Sequence, residues 1–189
     1  MCCGGRKARW VFPERHCCAV STPPGTPVGA RQGDETEEVS SMARVLIVYH
    51  SLGGNTKKMA EAVAEGASGV SGTEVALKTG LDATIDDLLG CDAVALGSAD
   101  YFSYMAGGLK DFLDRTYYPS QGKVAGRPAA VFGSAGGPSE NILQVLEQAL
   151  QWFKLEKAAD SVGSSGGVSA GAVSECQELG RKLAEAAKR

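Results

Sequence analysis

The chain has 189 residues, with 19 Lys and Arg against 22 Asp and Glu, a formal charge of −3. That length supports one domain with a full core, and the near-balance of charge, without a basic cluster, argues against nucleic acid as a partner. No apolar run approaches the ~20 residues of a membrane-spanning helix.

Residues 1–41 differ from the rest. They hold Cys2, Cys3, Cys17 and Cys18, four of the six cysteines, and the prolines Pro13, Pro23, Pro24 and Pro27. No periodic apolar pattern runs through them, no signal-peptide core is visible, and Gly does not follow Met1. They read as a disordered tail, or as translation from a start upstream of Met42. The functional alternative is a metal-binding or thiol-regulated arm, although adjacent cysteines are poorly spaced for zinc. Cys91 and Cys176 lie far apart. They read as small apolar packing residues of a cytoplasmic protein.

The folded part, residues 42–189, alternates strands and helices. A β-branched apolar run over Arg44–Tyr49 predicts a strand buried on both faces. A helix follows over Thr56–Ala67, then a turn at Gly69, Ser71 and Gly72, and a second strand over Thr73–Lys78. Thr84 and Asp87 resemble a capping box opening a short helix that Gly90 closes. The third strand is the apolar run Ala93–Ser98, followed by a loop over Ala99–Ala106. Leu109, Phe112 and Leu113 mark one face of the next helix. The fourth strand is Ala129–Gly133, and Ser134–Pro138 forms a third loop. Ile142, Leu146, Ala149 and Phe153 stripe a helix over Ser139–Phe153. The fifth strand falls within Lys157–Val162, the Gly/Ser run Gly163–Gly171 reads as a surface loop, and a last helix spans Ala172–Lys188.

Such alternation predicts an α/β fold, a doubly wound five-stranded parallel sheet with strand order 2-1-3-4-5. Ligands then bind beyond the carboxyl ends of strands one and three. The loops 51–56, 99–106 and 134–137 follow strands one, three and four, so they converge there.

The first loop reads Ser51, Leu52, Gly53, Gly54, Asn55, Thr56. Small residues between a strand and a helix N-terminus suit a phosphate, because bare N–H groups and the helix dipole favour an anion. Neither the P-loop spacing nor G-x-G-x-x-G is present. An ordinary turn capped by Asn or Thr is the alternative reading. The second loop places Tyr101, Phe102 and Tyr104 within four residues, in a chain with 6% aromatics. Rings stack on a flat heterocycle and amides bond its polar edge; rings that merely cap the core are the alternative.

In order and spacing these three loops, with the segment Leu109–Arg115, resemble the flavodoxin-like FMN proteins. That family includes short-chain electron carriers and NAD(P)H:quinone reductases of the tryptophan-repressor-binding-protein type. The resemblance covers Met42–Arg189. It implies a phosphate on Ser51, Gly53, Gly54, Asn55 and Thr56. It implies a ring and ribityl chain along Ala99, Asp100, Tyr101, Phe102, Ser103, Tyr104 and Met105, with Ser134, Ala135, Gly136 and Gly137 closing the other edge. Gly53 replaces a hydroxyl residue of the family's loop. Carriers of the family are strongly acidic, whereas residues 42–189 carry 14 Lys and Arg against 17 Asp and Glu. Carriers also shield the outer flavin face with an aromatic in the third loop, which here has none; the reductases' third loop usually carries a His, also missing.

Three functions follow as expectations. The first is an FMN-dependent oxidoreductase, with NAD(P)H as donor and a quinone or similar small molecule as acceptor. It names no catalytic side chain; Asp100, Tyr104 and His50 are the nearby polar groups. The second is an electron carrier serving a redox partner protein. The third, a flavin-free receiver-type signalling domain, lacks the acidic residues it requires after strands one and three, where His50, Ser51 and Ser98 stand. The family's reductases often assemble, so a homo-oligomer is possible.

Overall fold

The computed structural model describes residues Met42–Arg189. The expectations for residues 1–41 lie outside the described residues.

Strand β1 (Ala43–His50) sits at the centre between β2 (Thr73–Thr79) and β3 (Ala93–Tyr101), and β5 (Pro128–Ala135) lies beyond β3, all parallel. The fifth position is shared by two short strands, β6 (Glu156–Lys157) and β7 (Val162–Ser165), both parallel to β5. The expected order 2-1-3-4-5 is therefore realised with a divided last strand. Ala129 pairs with Lys157 and Phe132 with Val162. Four residues thus stand opposite two of β5, and this bulge interrupts the ladder. The strand expected within Lys157–Val162 is displaced at both ends, and β7 reaches into the Gly/Ser run read as a loop.

The helices are α1 (Asn55–Ser68), α2 (Ile85–Gly90), α3 (Gly107–Ser120), α4 (Glu140–Trp152) and α5 (Ala170–Ala186). The strands divide the core by period two. Val45, Ile47 and Tyr49 face Met59, Val63, Leu179 and Leu183 of α1 and α5. Leu46 and Val48 face Leu88, Leu109, Phe112 and Leu146 of α2, α3 and α4. On the first side the helices approach so closely that a Cβ at Gly180 would collide with the Val63 carbonyl, and one at Gly66 with the Gln177 backbone. The capping box of α2 forms as read: the Thr84 hydroxyl accepts from Asp87 N–H and the Asp87 carboxylate accepts from Thr84 N–H.

The expected loop over Ala99–Ala106 is instead largely a hairpin. β3 runs on to Tyr101 and pairs antiparallel with β4 (Tyr104–Met105). Its two turn residues, Phe102 and Ser103, have φ of 57° and 62°. Positive φ at both central positions matches a right-twisted two-residue hairpin turn.

Candidate functional site

The carboxyl ends of β1, β3 and β5 present the three loops at one end of the sheet, as the order of strands requires. Helix α1 starts from Gly54, whose φ is 87° and which supplies no side-chain cap. The first-turn amides are therefore left without a side-chain acceptor. Ser51 Oγ accepts from Gly54 N–H at 3.0 Å and tightens the loop. Gly53, Gly54 and Asn55 are exposed, and among the described residues no atom beyond the chain neighbours lies within 4 Å of a Cβ at either glycine. An anion can approach this backbone freely.

Thr56 is placed differently from the others. It is fully buried, and its hydroxyl pairs with Ser134 Oγ at 2.8 Å. This bond ties the first helical turn to the third loop.

The hairpin forms the second wall. Its base is held by Ser98, whose Oγ accepts from Ala106 N–H and donates to the Ala99 carbonyl, both at 2.8 Å. Its tip is held by Asn141 of α4, which donates to the Ser103 carbonyl at 2.9 Å and more weakly to the Asp100 carboxylate at 3.4 Å. The Tyr101 hydroxyl accepts from Leu52 N–H at 3.2 Å, joining the hairpin to the first loop. Phe102 is fully exposed, Leu52 is 80% exposed and Tyr104 is 41% exposed. Apolar groups held outward beside a bare helix N-terminus offer a surface to a flat ring. Ala99 and Met105 turn inward; Met105 packs with Leu109 in the core, so only its backbone lines the hairpin.

On the third side Ala135 is half-buried, and Gly136 and Gly137 are exposed with open space where a side chain would stand. The loop Ser134–Pro138 itself carries no aromatic side chain. The loop after β7 abuts it, with Gly166 N–H donating to the Ala135 carbonyl at 2.9 Å.

The sequence reading missed Ser98 and Asn141. Ser98 was visible as a lone hydroxyl ending an apolar strand; nothing in the local pattern marks Asn141. His50 packs against the backbone of Gly108, where a Cβ would meet its ring, and lies edge-on to Tyr101 at 6.4 Å. It therefore serves as a spacer between β1 and α3.

A concavity of about 680 Å³ lies elsewhere, among Asp92, Arg127, Glu156, Lys182 and Glu185 at the opposite end of the strands. Volume alone would put a ligand there. Its lining mixes acidic and basic side chains, whereas the three loops offer amides, hydroxyls and rings together. Among the described residues no cluster of His, Cys, Asp and Glu could hold a metal ion, and no helix is long and apolar enough to cross a membrane. Burial pushes the Cys91 thiol up to about 11, and burial with the neighbouring Glu175 charge pushes Cys176 up to about 12. Neither is a thiolate nucleophile at neutral pH.

The family described as NADPH-dependent FMN reductase matches residues 43–170. The chain is 35% identical to a flavodoxin of Aquifex aeolicus over 160 residues, 76% of this chain and 86% of that protein. It is 34% identical to an NAD(P)H dehydrogenase (quinone) of Acidithiobacillus ferrooxidans over 114 residues, 49% of this chain and 57% of that protein. The structure of a flavodoxin from the domain Archaea superposes with a TM-score of 0.69 at 28% identity, covering 77% of this chain and 99% of the flavodoxin. The chain belongs to the flavodoxin-like FMN-binding family, in the group described as NADPH-dependent FMN reductase.

Proposed function

We propose that this protein is an FMN-dependent oxidoreductase that passes electrons from NAD(P)H to a quinone or a similar small acceptor. The observation that carries this reading is the open third edge. Gly136 and Gly137 are exposed, and among the described residues no atom beyond their chain neighbours lies within 4 Å of where their side chains would begin. A nicotinamide or quinone ring needs such access to stack on a bound flavin, and a carrier gains nothing from it.

The residues present fit FMN. The amides of the first turn of α1, with Gly53, Gly54, Ser51 and Asn55, would hold its phosphate. Thr56 would contribute its amide, since its hydroxyl is engaged by Ser134. The hairpin from Ala99 to Met105 would line the ring and ribityl chain, and Ser134 to Gly137 the opposite edge. Bound there, FMN would supply hydride acceptance and electron delivery. The chain itself would orient the cofactor and leave one face accessible. Asp100 is held near Asn141, which suits a positioning role. Free, buried Cys91 and Cys176 suit a reducing, cytoplasmic setting.

A second reading, an electron carrier serving a redox protein, is favoured by the similarity to the Aquifex aeolicus flavodoxin along most of its length. The two separate in one experiment. The visible spectrum of the purified protein is recorded, then NADPH is added under nitrogen. Prompt bleaching of a flavin spectrum supports the reductase. A flavin that dithionite reduces and neither nicotinamide touches supports the carrier. A colourless protein that takes up no added FMN refutes both. Replacing the exposed Asn55 by Glu should abolish FMN binding through bulk and like charge; undiminished binding would remove the phosphate from this loop.

A further inference from the structure

The end of α4 carries a cation in an unusual place. Leu155 N–H donates to the Leu150 carbonyl at 2.9 Å, and Lys154 N–H donates to the Gln151 carbonyl at 3.0 Å. This nested pair is the helix stop in which the residue after the cap turns left-handed, a position that glycine fills most easily. Here Lys154 fills it, with φ of 55°. Its carbonyl also accepts from Gly126 N–H at 2.8 Å, so the conformation is held from both sides. The side chain is exposed and has no ion-pair partner among the described residues. A strained residue that its surroundings hold in place points to a use for its side chain.

Lys154 borders a hollow of about 410 Å³ between the last turns of α3 and α4. Three aromatic residues line it, Tyr117, Trp152 and Phe153. Tyr117 stands edge-on to Phe153 at 5.4 Å and to Tyr118 at 5.2 Å, which fixes its plane. Trp152 is 41% exposed. The polar side chains of the lining are Ser120, Gln121 and Lys154. The Ser120 hydroxyl donates to the Tyr117 carbonyl. That leaves the Gln121 amide and the Lys154 ammonium for a ligand. Among the described residues that line the hollow, Lys154 alone is charged.

We propose that this hollow binds a small planar aromatic monoanion, an aryl carboxylate. The rings favour a flat apolar body. A single unpaired cation favours a single negative charge, which a charge-assisted hydrogen bond satisfies. The same cation repels the positively charged ligands that bare rings would otherwise attract. The volume admits a body of about one or two fused rings. α3 and α4 run back from the carboxyl ends of the strands, so their last turns lie near the strand starts. The eight residues of β5 span ~26 Å. The hollow is thus separated from the three loops by the depth of the domain and does not depend on the flavin reading.

The test is calorimetric titration of the full-length chain with 2-naphthoate, repeated with the neutral isostere 2-naphthamide and again with excess FMN present. One saturable site is expected for 2-naphthoate, with 2-naphthamide weaker by at least roughly tenfold. Lys154→Gln should weaken 2-naphthoate by roughly tenfold and leave 2-naphthamide unchanged, a split that general loss of structure would not produce. Lys154→Gly should weaken 2-naphthoate as much while raising the denaturation midpoint, because glycine takes the left-handed turn without strain. Trp152→Ala should weaken both probes. Absence of saturable binding at millimolar 2-naphthoate overturns the proposal. So do equal affinities for the two probes, or a Lys154→Gln variant that binds 2-naphthoate as the wild type does. Displacement of 2-naphthoate by FMN would place the probe in the three loops and overturn it as well. A chain that binds 2-naphthoate in the expected pattern yet takes up no FMN would sink the flavin reading alone.

Discussion

Thr56 shows how a residue singled out by a local pattern can have a partner that the pattern does not reveal. Its place at the end of a small polar loop marked it for a phosphate. Its hydroxyl instead meets Ser134, 78 positions away in sequence, in a fully buried pair. No local signal reveals a partner at that separation. The exposed backbone at Gly53 and Gly54 was legible, because glycine identity alone supplies it. Thr56→Val removes one hydroxyl and strands the other in the interior, at a cost of about 1–3 kcal/mol. Chemical denaturation should show that loss. The double variant Thr56→Val, Ser134→Ala should be less destabilised than the sum of the singles, with a coupling of about 1 kcal/mol. FMN affinity should change by less than about tenfold, since the Thr56 amide survives. A hundredfold loss of affinity in a variant of unaltered stability would mean that the hydroxyl reaches the phosphate after all.

Among the elements, those with strong periodicity were legible and those imposed by neighbours were not. The buried parallel strands and the striped helices announce themselves through apolar spacing. The hairpin after β3 does not. Its turn carries Phe102 and Ser103 where Asn-Gly would be expected from conformational preference. β7 lies in a Gly/Ser run of poor strand propensity and is held extended by pairing with β5. Two left-handed residues without glycine are unfavourable by ~1–2 kcal/mol each. That turn holds the Phe102 ring fully exposed, where it can stack on a flat ligand. Replacing Phe102 and Ser103 by Asn and Gly should therefore raise stability by about 1–2 kcal/mol. The same change should weaken FMN binding by roughly tenfold or more, because the stacking ring is gone. Denaturation midpoints and quenching of FMN fluorescence measure the two effects. A gain in stability with no loss of affinity would release Phe102 from any part in the flavin site.

For the molecule as a whole, the alternation of elements made the sheet order legible, and the order made the convergence of three loops follow. What composition adds is the strength of the electrostatic field. Residues 42–189 carry 14 Lys and Arg against 17 Asp and Glu, and many of these neutralise one another locally, as Arg181 does between Glu178 and Glu185. A steered encounter is accelerated by roughly 10–10³ and loses that gain steeply as salt rises. A near-neutral surface offers little of it. If the protein serves a small nucleotide donor and a small acceptor, long-range steering is unnecessary and access to the ring governs the rate. The second-order rate of flavin reduction by NADPH should then vary by less than about threefold between low and physiological salt, where the screening length falls from roughly 30 to 8 Å. Stopped-flow bleaching across that range tests this. A steep fall with salt would reveal a focused patch of charge around the loops that the overall balance conceals, and electron transfer to a basic redox protein showing the same dependence would move the assignment from reductase to carrier.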